Sequence, residues 1–246
     1  MPSPTDFNLS PYFDDFTESK KFHRVLFRPA FAVQARELTQ SQTQLQNQIE
    51  KVSDHLFEKG AMVIPGEIGY DLNYYSVKLT SIASGNTLAQ FTTDTVLTGG
   101  SSGVKARIIG TDALSGSDPD TLYIKYNDSG TNNTNTSFSD GETITGTNSD
   151  SVSLSAVVAT CHTGSAAQVE EGTYYINGYH VQVSKQTIVL DKYTNTPSYR
   201  VGLLVTESFV TPNDDLTLND NATGSSNVNA PGAHRFKIDL TLTKKT

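Results

Sequence analysis

Residues 31–58 read FAVQARELTQSQTQLQNQIEKVSDHLFE, and they form the clearest element that the sequence predicts. Pro29 stands just before this stretch and Gly60 just after it, which suits the start and the end of a helix. In a heptad assignment, seven of the eight a and d positions are apolar or alanine. The d positions are Phe31, Leu38, Leu45 and Val52, and the a positions are Ala35, Gln42, Ile49 and Leu56. The pattern therefore predicts one long α-helix from Phe31 to Glu58.

The apolar stripe of this helix has two interpretations. It packs on a β-domain of its own chain, or it forms a short coiled coil or bundle of about four heptads between subunits. Burial of each large apolar side chain is worth about 1.5 to 3 kcal/mol, so such a seam supports association that other contacts also assist. In the second interpretation, the assembly interface consists of Phe31, Leu38, Leu45, Ile49, Val52 and Leu56.

Residues 1–29 are rich in aromatic side chains and prolines, and we interpret them as an extended arm. The aromatic residues are Phe7, Tyr12, Phe13, Phe16, Phe22 and Phe27. So many aromatic rings are not expected to stay in water. The arm is therefore expected to lie against the body of its own chain or against a neighbouring subunit.

After Gly60 the hydrophobic pattern changes to a period of two, which is typical of β-strands. The predicted strands are Ala61–Ile64, Tyr74–Leu79, Val104–Ile109, Thr121–Tyr126, Thr187–Leu190, Arg200–Thr206 and Phe236–Leu242. The dipeptide Asn177-Gly178 is a strong signal for a two-residue hairpin turn. The chain beyond the helix is therefore expected to be a β-body.

Residues 85–160 are dominated by Gly, Ser, Thr, Asn and Asp, and they contain an internal echo. Residues 94–99 (DTVLTG) followed by 103–109 (GVKARII) resemble residues 142–146 (ETITG) followed by 151–158 (SVSLSAVV). The echo predicts two related hairpins. Together with the strand Thr121–Tyr126 they would make a small barrel or sandwich.

The expected fold is therefore mainly β with one long N-terminal α-helix and antiparallel β-sandwich or barrel modules, one of which is inserted. Three domains are predicted. Residues 1–60 form the arm and the assembly helix, residues 61–84 and 161–246 form the β-body, and residues 85–160 form the inserted small β-module.

Composition and charge disfavour several partners. The formal net charge is -8, so a phosphate backbone is repelled on balance and nucleic acid is not an expected partner. No apolar run reaches the roughly 20 residues that a membrane span requires, so we expect no membrane anchor. The single cysteine, Cys161, excludes a disulfide within the chain and agrees with folding in a cytoplasm.

No catalytic, cofactor or metal site is predicted. We expect no Gly-x-Ser-x-Gly motif, the strand-to-helix elbow on which a serine nucleophile usually sits. Cys161 and His162 are neighbours, but adjacent strand residues point to opposite faces. The five histidines lack zinc-ligand spacing, and the aspartates at 118, 120, 214, 215 and 220 lack the pattern of an EF-hand loop. These aspartates are expected to form turns, and the protein is expected not to be an enzyme.

Three stretches resemble a family of tailed-bacteriophage virion proteins that is described as a domain of unknown function, DUF4815. The stretches are VLFRPAFAVQARELTQ at 25–40 with LQNQI at 45–49 and HLFEKG at 55–60, YYINGYHV at 174–181, and NAPGAHRFKI at 229–238. The region 85–160 separately resembles small β-modules of phage structural proteins, through a Thr-Gly-x-x-Ser-Gly hairpin and the turn FSDGE at 138–142.

This resemblance implies a structural component of a phage tail or baseplate, located in the virion and assembled in the host cytoplasm. Its partners would be other tail or baseplate proteins and further copies of itself. The alternative is a receptor-binding or glycan-binding tail protein. In that case Tyr126 and the loop Asn132–Ser137 would contact the host surface, whereas otherwise this loop is a solvated turn.

Overall fold

The computed structural model describes residues 4–131, 133–224 and 226–246, and it is mainly β. Within these ranges the chain forms one α-helix, α1 (Ala35–Leu56), and twelve strands. The strands are β1 (Met62–Ile64), β2 (Ile68–Ile82), β3 (Val96–Gly99), β4 (Lys105–Asp112), β5 (Thr121–Asp128), β6 (Thr143–Thr147), β7 (Ser153–Val169), β8 (Gly172–Ile176), β9 (Tyr179–Val183), β10 (Gln186–Asp191), β11 (Arg200–Val210) and β12 (Arg235–Lys245). The expectation of a β-rich chain with one helix and antiparallel sheets is confirmed, and each predicted strand overlaps an observed one.

The helix is shorter than predicted, because it begins at Ala35 and ends at Leu56. Before it, Ala30 has a φ of 66°, which breaks a helical path, and the Gln34 N–H donates to the Glu37 carboxylate at 2.9 Å to cap the first turn. Phe31 therefore lies outside the helix. Among the described residues, no helix combines the length and the apolarity needed to cross a membrane.

The chain divides into two compact units, and the first contains the helix. It comprises the chain up to Glu67, Val169–Gln186 and Leu203–Thr243. Its sheet has the order β1-β8-β9, and β11 pairs with β12. The core of this unit is formed by Val169, Tyr174, Ile176, Val181, Val183 and Leu240, with Leu203, Val205, Ile238 and Leu242 packed against it.

The turn between β8 and β9 confirms the predicted hairpin. The strands pair from Gly172 opposite Val183 to Ile176 opposite Tyr179, which leaves Asn177 and Gly178 as the two turn residues. Their φ angles are 49° and 90°, the left-handed values that a type I′ turn requires at both positions. The Asn-Gly dipeptide therefore sets the register of the hairpin on which the helix lies.

The second unit comprises Ile68–Gln168, Thr187–Gly202 and Lys244–Thr246. Its strands are hydrogen-bonded in the order β10-β7-β2-β5-β4-β3-β6, and β6 also pairs with β7. The pairing therefore returns to β7, so the six strands from β7 to β6 in this order form a closed ring, and β7 also pairs with β10. The core of this unit is Val77, Leu79, Phe91, Leu97, Val104, Ala106, Ile108, Leu122, Ile124, Phe138, Ile144, Leu154, Ala156 and Val158, of which Val77 and Leu79 precede the predicted insert 85–160.

The two echoing segments form the predicted hairpins. β3 pairs with β4, and β6 pairs with the start of β7. The hairpins also join each other, because Thr98 on β3 lies opposite Thr145 on β6. The internal similarity therefore corresponds to two equivalent hairpins that share one core.

A buried carboxylate, Glu142, connects these hairpins. It is 4% exposed and directly precedes β6. The N–H groups of Ser101, Ser102 and Ser139 donate to it at 3.0, 2.9 and 2.7 Å, and the Ser102 hydroxyl donates at 2.8 Å. The two motifs that the sequence singles out, the Thr-Gly-x-x-Ser-Gly turn and the FSDGE turn, therefore meet at one side chain.

These donors keep Glu142 ionised. Burial by itself raises the pKa of the Glu142 carboxyl. The hydrogen bonds from Ser102, Ser139 and Ser101 together lower the pKa by more than burial raises it, so the pKa lies below the ordinary value of 4.5. A pKa that is depressed in the folded state contributes stability above the unfolded pKa. That contribution is lost as the pH falls from about 4.5 through the lower folded pKa.

We predict that Glu142→Gln lowers the free energy of unfolding of the second unit by at least about 2 kcal/mol at pH 7, because backbone donors lose a charged acceptor. Urea unfolding of the full chain, combined with hydrogen exchange of β3 and β6 amides, measures the loss. Asp150→Asn is the matched control, since Asp150 is an exposed turn carboxylate, and it should change little. The difference between wild type and Glu142→Gln should shrink below about pH 4.5. A difference that is unchanged in acid would contradict this account.

Candidate functional site

The N-terminal helix lies on the β8–β9 hairpin through its polar side chains. The Gln46 amide donates to the carbonyl oxygen of Gly178 at 2.7 Å, at the tip of the hairpin. Ser53 Oγ lies 3.1 Å from His180 Nε2. The Tyr175 hydroxyl donates to Asp54 Oδ1 at 2.7 Å. The helix is therefore attached to its own chain by hydrogen bonds to three hairpin residues.

Aromatic packing fixes the C-terminal end of the helix on the same hairpin. Phe57 leaves the helical path, and its ring centroid lies 6.1 Å from that of Tyr175 and 6.0 Å from that of His180. The Gly60 N–H donates to the Tyr175 carbonyl at 2.8 Å, and the Tyr175 N–H donates to the carbonyl of Ala61 at 2.9 Å. Tyr175 is 1% exposed and is the central residue of this attachment.

The shifted pKa values of Tyr175 and Asp54 keep the donor phenol protonated and the acceptor carboxyl ionised. Burial raises the pKa of the Tyr175 phenol, and the hydrogen bond to Asp54 raises it further, so the hydroxyl keeps its proton. The same hydrogen bond lowers the pKa of the Asp54 carboxyl. The Asp54–Tyr175 bond therefore joins an ionised carboxylate to a protonated phenol at neutral pH.

The first part of the arm lies along another polar side of the helix. The Thr43 hydroxyl donates to the buried carboxylate of Asp14, and the Gln40 amide donates to Asp15. Ion pairs add to these bonds: Arg36 lies 3.6 Å from Asp15, and Lys51 pairs with Glu18. The acidic residues of the arm therefore contact polar and basic residues of the helix.

Two aromatic rings of the arm reach β11 and β12. The Phe7 centroid lies 5.9 Å from that of Phe209 and 4.9 Å from that of Phe236, both edge-on. Tyr12 packs at 5.0 Å from Phe209, and its hydroxyl lies 2.8 Å from His234 Nδ1. The beginning of the arm therefore packs against the body of its own chain, as one of the two sequence interpretations proposed.

The second part of the arm stays exposed. Phe22, Leu26, Phe27 and Val33 are each more than half exposed, and so is Phe31, over whose ring the Arg28 guanidinium lies at 4.4 Å. The residues from Phe22 to Val33 form no helix or strand. We call this apolar segment the exposed arm.

The predicted interface residues of the helix are also exposed. Their exposed fractions range from 50% for Ile49 to 67% for Leu45. At 100° per residue they span about 60° of the helix circumference, on the side opposite Glu50 and Asp54. We call this set the helix stripe: Leu38, Leu45, Ile49, Val52 and Leu56.

The helix thus packs on its own chain without using the stripe. The intramolecular interpretation expected the apolar face to lie against the β-domain, but polar residues such as Gln46 and Ser53 lie there instead. Phe31, the sixth predicted interface residue, belongs to the exposed arm because the helix begins four residues later, at Ala35. The stripe is therefore available to another surface.

The sequence did not identify Tyr175, Asp54 or Ser53 as important. The sequence did indicate a second, polar face of the helix. This face contains residues at helical spacing, namely Gln46, Glu50, Ser53 and Asp54, and Ser53 is small enough for close packing. However, this polar side could equally face water. Only the hairpin, which lies more than 110 residues further along the chain, distinguishes the two possibilities.

A cleft of about 290 Å³ lies where the arm, the helix and the hairpin meet within this unit. Its walls are mostly polar and include Asp6, Phe7, Asp14, Thr43, Glu50 and Tyr179. Burial raises the pKa of Glu50 in this wall. Across the described ranges 4–131, 133–224 and 226–246, no group of three or more His, Cys, Asp or Glu side chains is arranged to hold a metal ion.

The Cys161 thiol and the serines of residues 99–103, which are the candidate nucleophiles, make structural contacts. Burial raises the pKa of the Cys161 thiol to about 11, so the thiol stays protonated, and its sulfur lies 3.6 Å from the Phe138 carbonyl. The expectation that the chain lacks a Gly-x-Ser-x-Gly motif is wrong, because Gly99-Gly-Ser-Ser-Gly103 has this spacing. This segment joins strand β3 to strand β4, so it is not a strand-to-helix elbow, and the N–H of its central serine, Ser101, donates to the Glu142 carboxylate at 3.0 Å.

The first aspartate cluster that was weighed for calcium contributes to a turn and an ion-pair network. Asp120 accepts from the Leu114 N–H at 2.8 Å. Asp118 lies 2.9 Å from the Lys192 ammonium, and a hydrogen bond from Tyr193 is the main reason that its pKa falls to about 2. Both carboxylates therefore have protein donors.

The second cluster forms turns, as expected. Asp214 accepts from the Thr211 N–H and Asp215 from the Thr217 N–H, each at 2.9 Å. Asp220 accepts from the N–H two residues further on, at 2.8 Å. These short-range bonds are typical of aspartates that initiate turns.

Tyr126, the residue proposed for host contact, packs on the core of the second unit. Its ring centroid lies 5.0 Å from that of Tyr75 and 5.5 Å from that of Phe138. Its hydroxyl accepts from the Phe138 N–H at 3.3 Å. Of the proposed contact loop, residues 133–137 are exposed and Asn132 lies outside the described residues.

We predict that Tyr175→Phe lowers the free energy of unfolding of the first unit by about 1 to 2 kcal/mol, because a buried hydrogen bond to a carboxylate is lost. Urea unfolding and hydrogen exchange of helix amides measure the change. Tyr70→Phe is the matched control, since Tyr70 is 63% exposed, and it should have almost no effect. Equal effects of the two substitutions would show that the Asp54–Tyr175 bond does not hold the helix.

The chain was compared with known proteins and structures. No curated protein and no solved structure matches it. The model of a domain of unknown function, DUF4815, matches residues 112–246, which is more than half of the 246 residues. The chain therefore belongs to the DUF4815 family.

Proposed function

We propose that this protein is a non-enzymatic structural component of a bacteriophage tail or baseplate. It anchors through its N-terminal arm and helix, and it presents its β-modules to neighbouring subunits or fibres. The observation that carries the proposal is the exposed helix stripe, on a helix that its own chain already holds by the polar side.

The size of the helix stripe supports a role in association. Its five large side chains are each at least half exposed. Full burial of such a side chain is worth about 1.5 to 3 kcal/mol, so covering the exposed halves contributes on the order of 4 to 8 kcal/mol from this chain. Association costs about 4 to 15 kcal/mol in lost translational and rotational freedom. The stripe therefore favours binding but needs further contacts.

The exposed arm supplies a second apolar surface next to the helix in sequence. Phe22, Leu26 and Phe27 are 63%, 78% and 53% exposed. Aromatic and aliphatic side chains grouped in this way are typical of surfaces that another molecule covers. In the proposal, the arm and the helix stripe contact neighbouring virion proteins together.

The β-modules provide the presented surface. The ring of strand pairings in the second unit, with β6 joined to β7, supports the inference that this unit is a small β-barrel. Its turns are held by side chains such as Glu142, so their positions are defined. Because Tyr75 and Phe138 cover the ring of Tyr126, the observations favour a structural role over glycan binding.

The virion location rests on the resemblance of residues 25–60, 174–181 and 229–238 to phage tail proteins. The structure is compatible with that resemblance: the second stretch is the β8–β9 hairpin, and the first contains the helix that this hairpin holds. The expected partners are other tail or baseplate proteins and further copies of this chain, and assembly takes place in the host cytoplasm.

We predict that Leu45→Asp together with Ile49→Asp blocks incorporation into phage particles that contain the protein. Two carboxylates would have to be buried unpaired in the seam, which costs several kcal/mol. The thermal melt of the purified chain should stay unchanged, because both side chains are exposed in the free protein. Incorporation is measured by immunoblotting of purified particles.

A charge-matched control separates this effect from net charge. Ser84→Asp together with Ser117→Asp adds two carboxylates at exposed loop positions of the second unit and should leave incorporation normal. Normal incorporation of the Leu45/Ile49 variant would overturn the proposal. A collapsed melt would show instead that the helix stripe stabilises its own chain.

A further inference from the structure

We infer that the exposed arm of one copy of this chain binds the start of the β11–β12 connection of another copy. We call this second segment the acidic loop: residues 211–220. The inference rests on the proposed function, because it names the surface that the arm contacts. It does not involve the helix stripe.

The exposed arm lies in a basic stretch of an acidic chain. The whole chain has 26 Asp and Glu against 18 Lys and Arg. Residues 19–36 nevertheless contain no Asp or Glu, and their basic residues are Lys20, Lys21, Arg24, Arg28 and Arg36. Opposite charges across an interface steer two surfaces together and fix their register. The stretch therefore fits an acidic surface, and the chain itself is rich in acidic residues.

The copy that carries these charges leaves most of them unused. Lys21, Arg24 and Arg28 are exposed. Among the ion pairs of the described residues, Lys20 is the one Lys or Arg of the arm that takes part, with Asp15 at 4.0 Å. The other basic side chains of the arm are therefore available to carboxylates of another molecule.

The exposed arm is also held at both ends. Glu18 pairs with Lys51 of α1, and the helix itself begins at Ala35. Because both ends are fixed, the segment between them has little freedom to fold onto other parts of its own copy. It is therefore placed to contact a neighbour.

The acidic loop has the opposite charge. It contains Asp214, Asp215 and Asp220 and no Lys or Arg. Asp214 and Asp215 are exposed, and hydrogen bonds from the hydroxyls and N–H groups of Thr211 and Thr217 lower the pKa of these two carboxyls. Both carboxylates are therefore ionised at neutral pH and reach the surface.

Each segment also exposes a large apolar side chain beside its charges. Leu26 lies between Arg24 and Arg28 in the arm and is 78% exposed. Leu216 directly follows Asp215 in the loop and is 75% exposed. These two leucines are the most exposed large hydrophobic residues in the described part of the chain. Contact between the arm and the loop pairs the charges and covers both leucines.

Long-range repulsion between copies does not prevent this contact. Each copy has a net charge of -8, but surface charges are screened beyond about 8 to 10 Å at ordinary ionic strength. The local pattern of the arm and the loop therefore decides the interaction. For the same reason, the contact should weaken as salt is added.

The test is sedimentation of the full chain and of two double variants across a dilution series. The arm variant is Arg24→Glu with Arg28→Glu. The loop variant is Asn213→Lys with Leu216→Lys, which keeps the aspartates of the turn and their hydrogen bonds. All four substituted side chains are exposed, so the thermal melts should stay unchanged.

We expect the wild-type chain to self-associate at about 0.05 M salt and more weakly at about 0.3 M. Each variant alone should self-associate at least about tenfold more weakly than the wild type. An equimolar mixture of the two variants should associate again, because the arm of the loop variant and the loop of the arm variant are both intact. The charge-matched control for the arm variant is Lys125→Glu with Lys245→Glu, at exposed positions of the second unit, and it should associate like the wild type.

A wild-type chain that stays monomeric at low salt would overturn the inference, and so would a mixture that does not regain association. Vesicles that contain phosphatidylserine and single-stranded DNA are the competing probes. If the monomeric wild type binds one of them and the arm variant does not, the basic arm serves a membrane or a nucleic acid and not a second copy.

Failure of this inference is distinguishable from failure of the proposed function. If the arm variant associates normally while the Leu45/Ile49 variant is excluded from particles, the inference is wrong and the proposed function stands. If the Leu45/Ile49 variant is incorporated normally, the proposed function is wrong, whatever the arm variant does.

Discussion

The attachment of the N-terminal helix to the β8–β9 hairpin is the interaction on which the rest of the first unit depends. Tyr175 is buried under the helix, donates to Asp54 and exchanges backbone hydrogen bonds with the segment that follows the helix. Because these contacts use polar helix residues, the attachment consumes none of the apolar stripe. One interaction thus both orders the helix and leaves its apolar side exposed.

This arrangement has a thermodynamic consequence. An isolated helix of 22 residues is marginally stable in water, and most helices gain stability by burying their apolar face. Here hydrogen bonds and ion pairs from the hairpin and the arm take that role, and the apolar face stays exposed. In the proposed assembly, a helix that is ordered before association would lower the entropy cost of binding.

In the second unit, too, hydrogen bonds to a carboxylate hold two parts of the chain together. Glu142 is buried, ionised and surrounded by N–H and hydroxyl donors from two turns. A carboxylate that is fully satisfied in this way specifies the relative position of the two hairpins more sharply than apolar packing alone. The exposed loops beyond it are then free to vary without loss of the core. This is compatible with a module that presents surface.

The sequence alone determined the features that depend on local chemistry. The heptad pattern identified the stripe, the Asn177-Gly178 dipeptide identified a hairpin, and the echo in residues 85–160 identified two paired hairpins. Strand positions followed from the period of two, because side chains on a strand alternate between its faces.

Tertiary structure decided the rest. The helix starts at Ala35 because Ala30 adopts a positive φ and Gln34 is capped by Glu37, a backbone geometry that the heptad pattern does not encode. Which side of the helix packs was settled by Tyr175 and Gly178, which come from distant sequence and match hydrogen-bonding groups on the polar side. Periodicity shows that a helix has two faces, but only the partner surface selects between them.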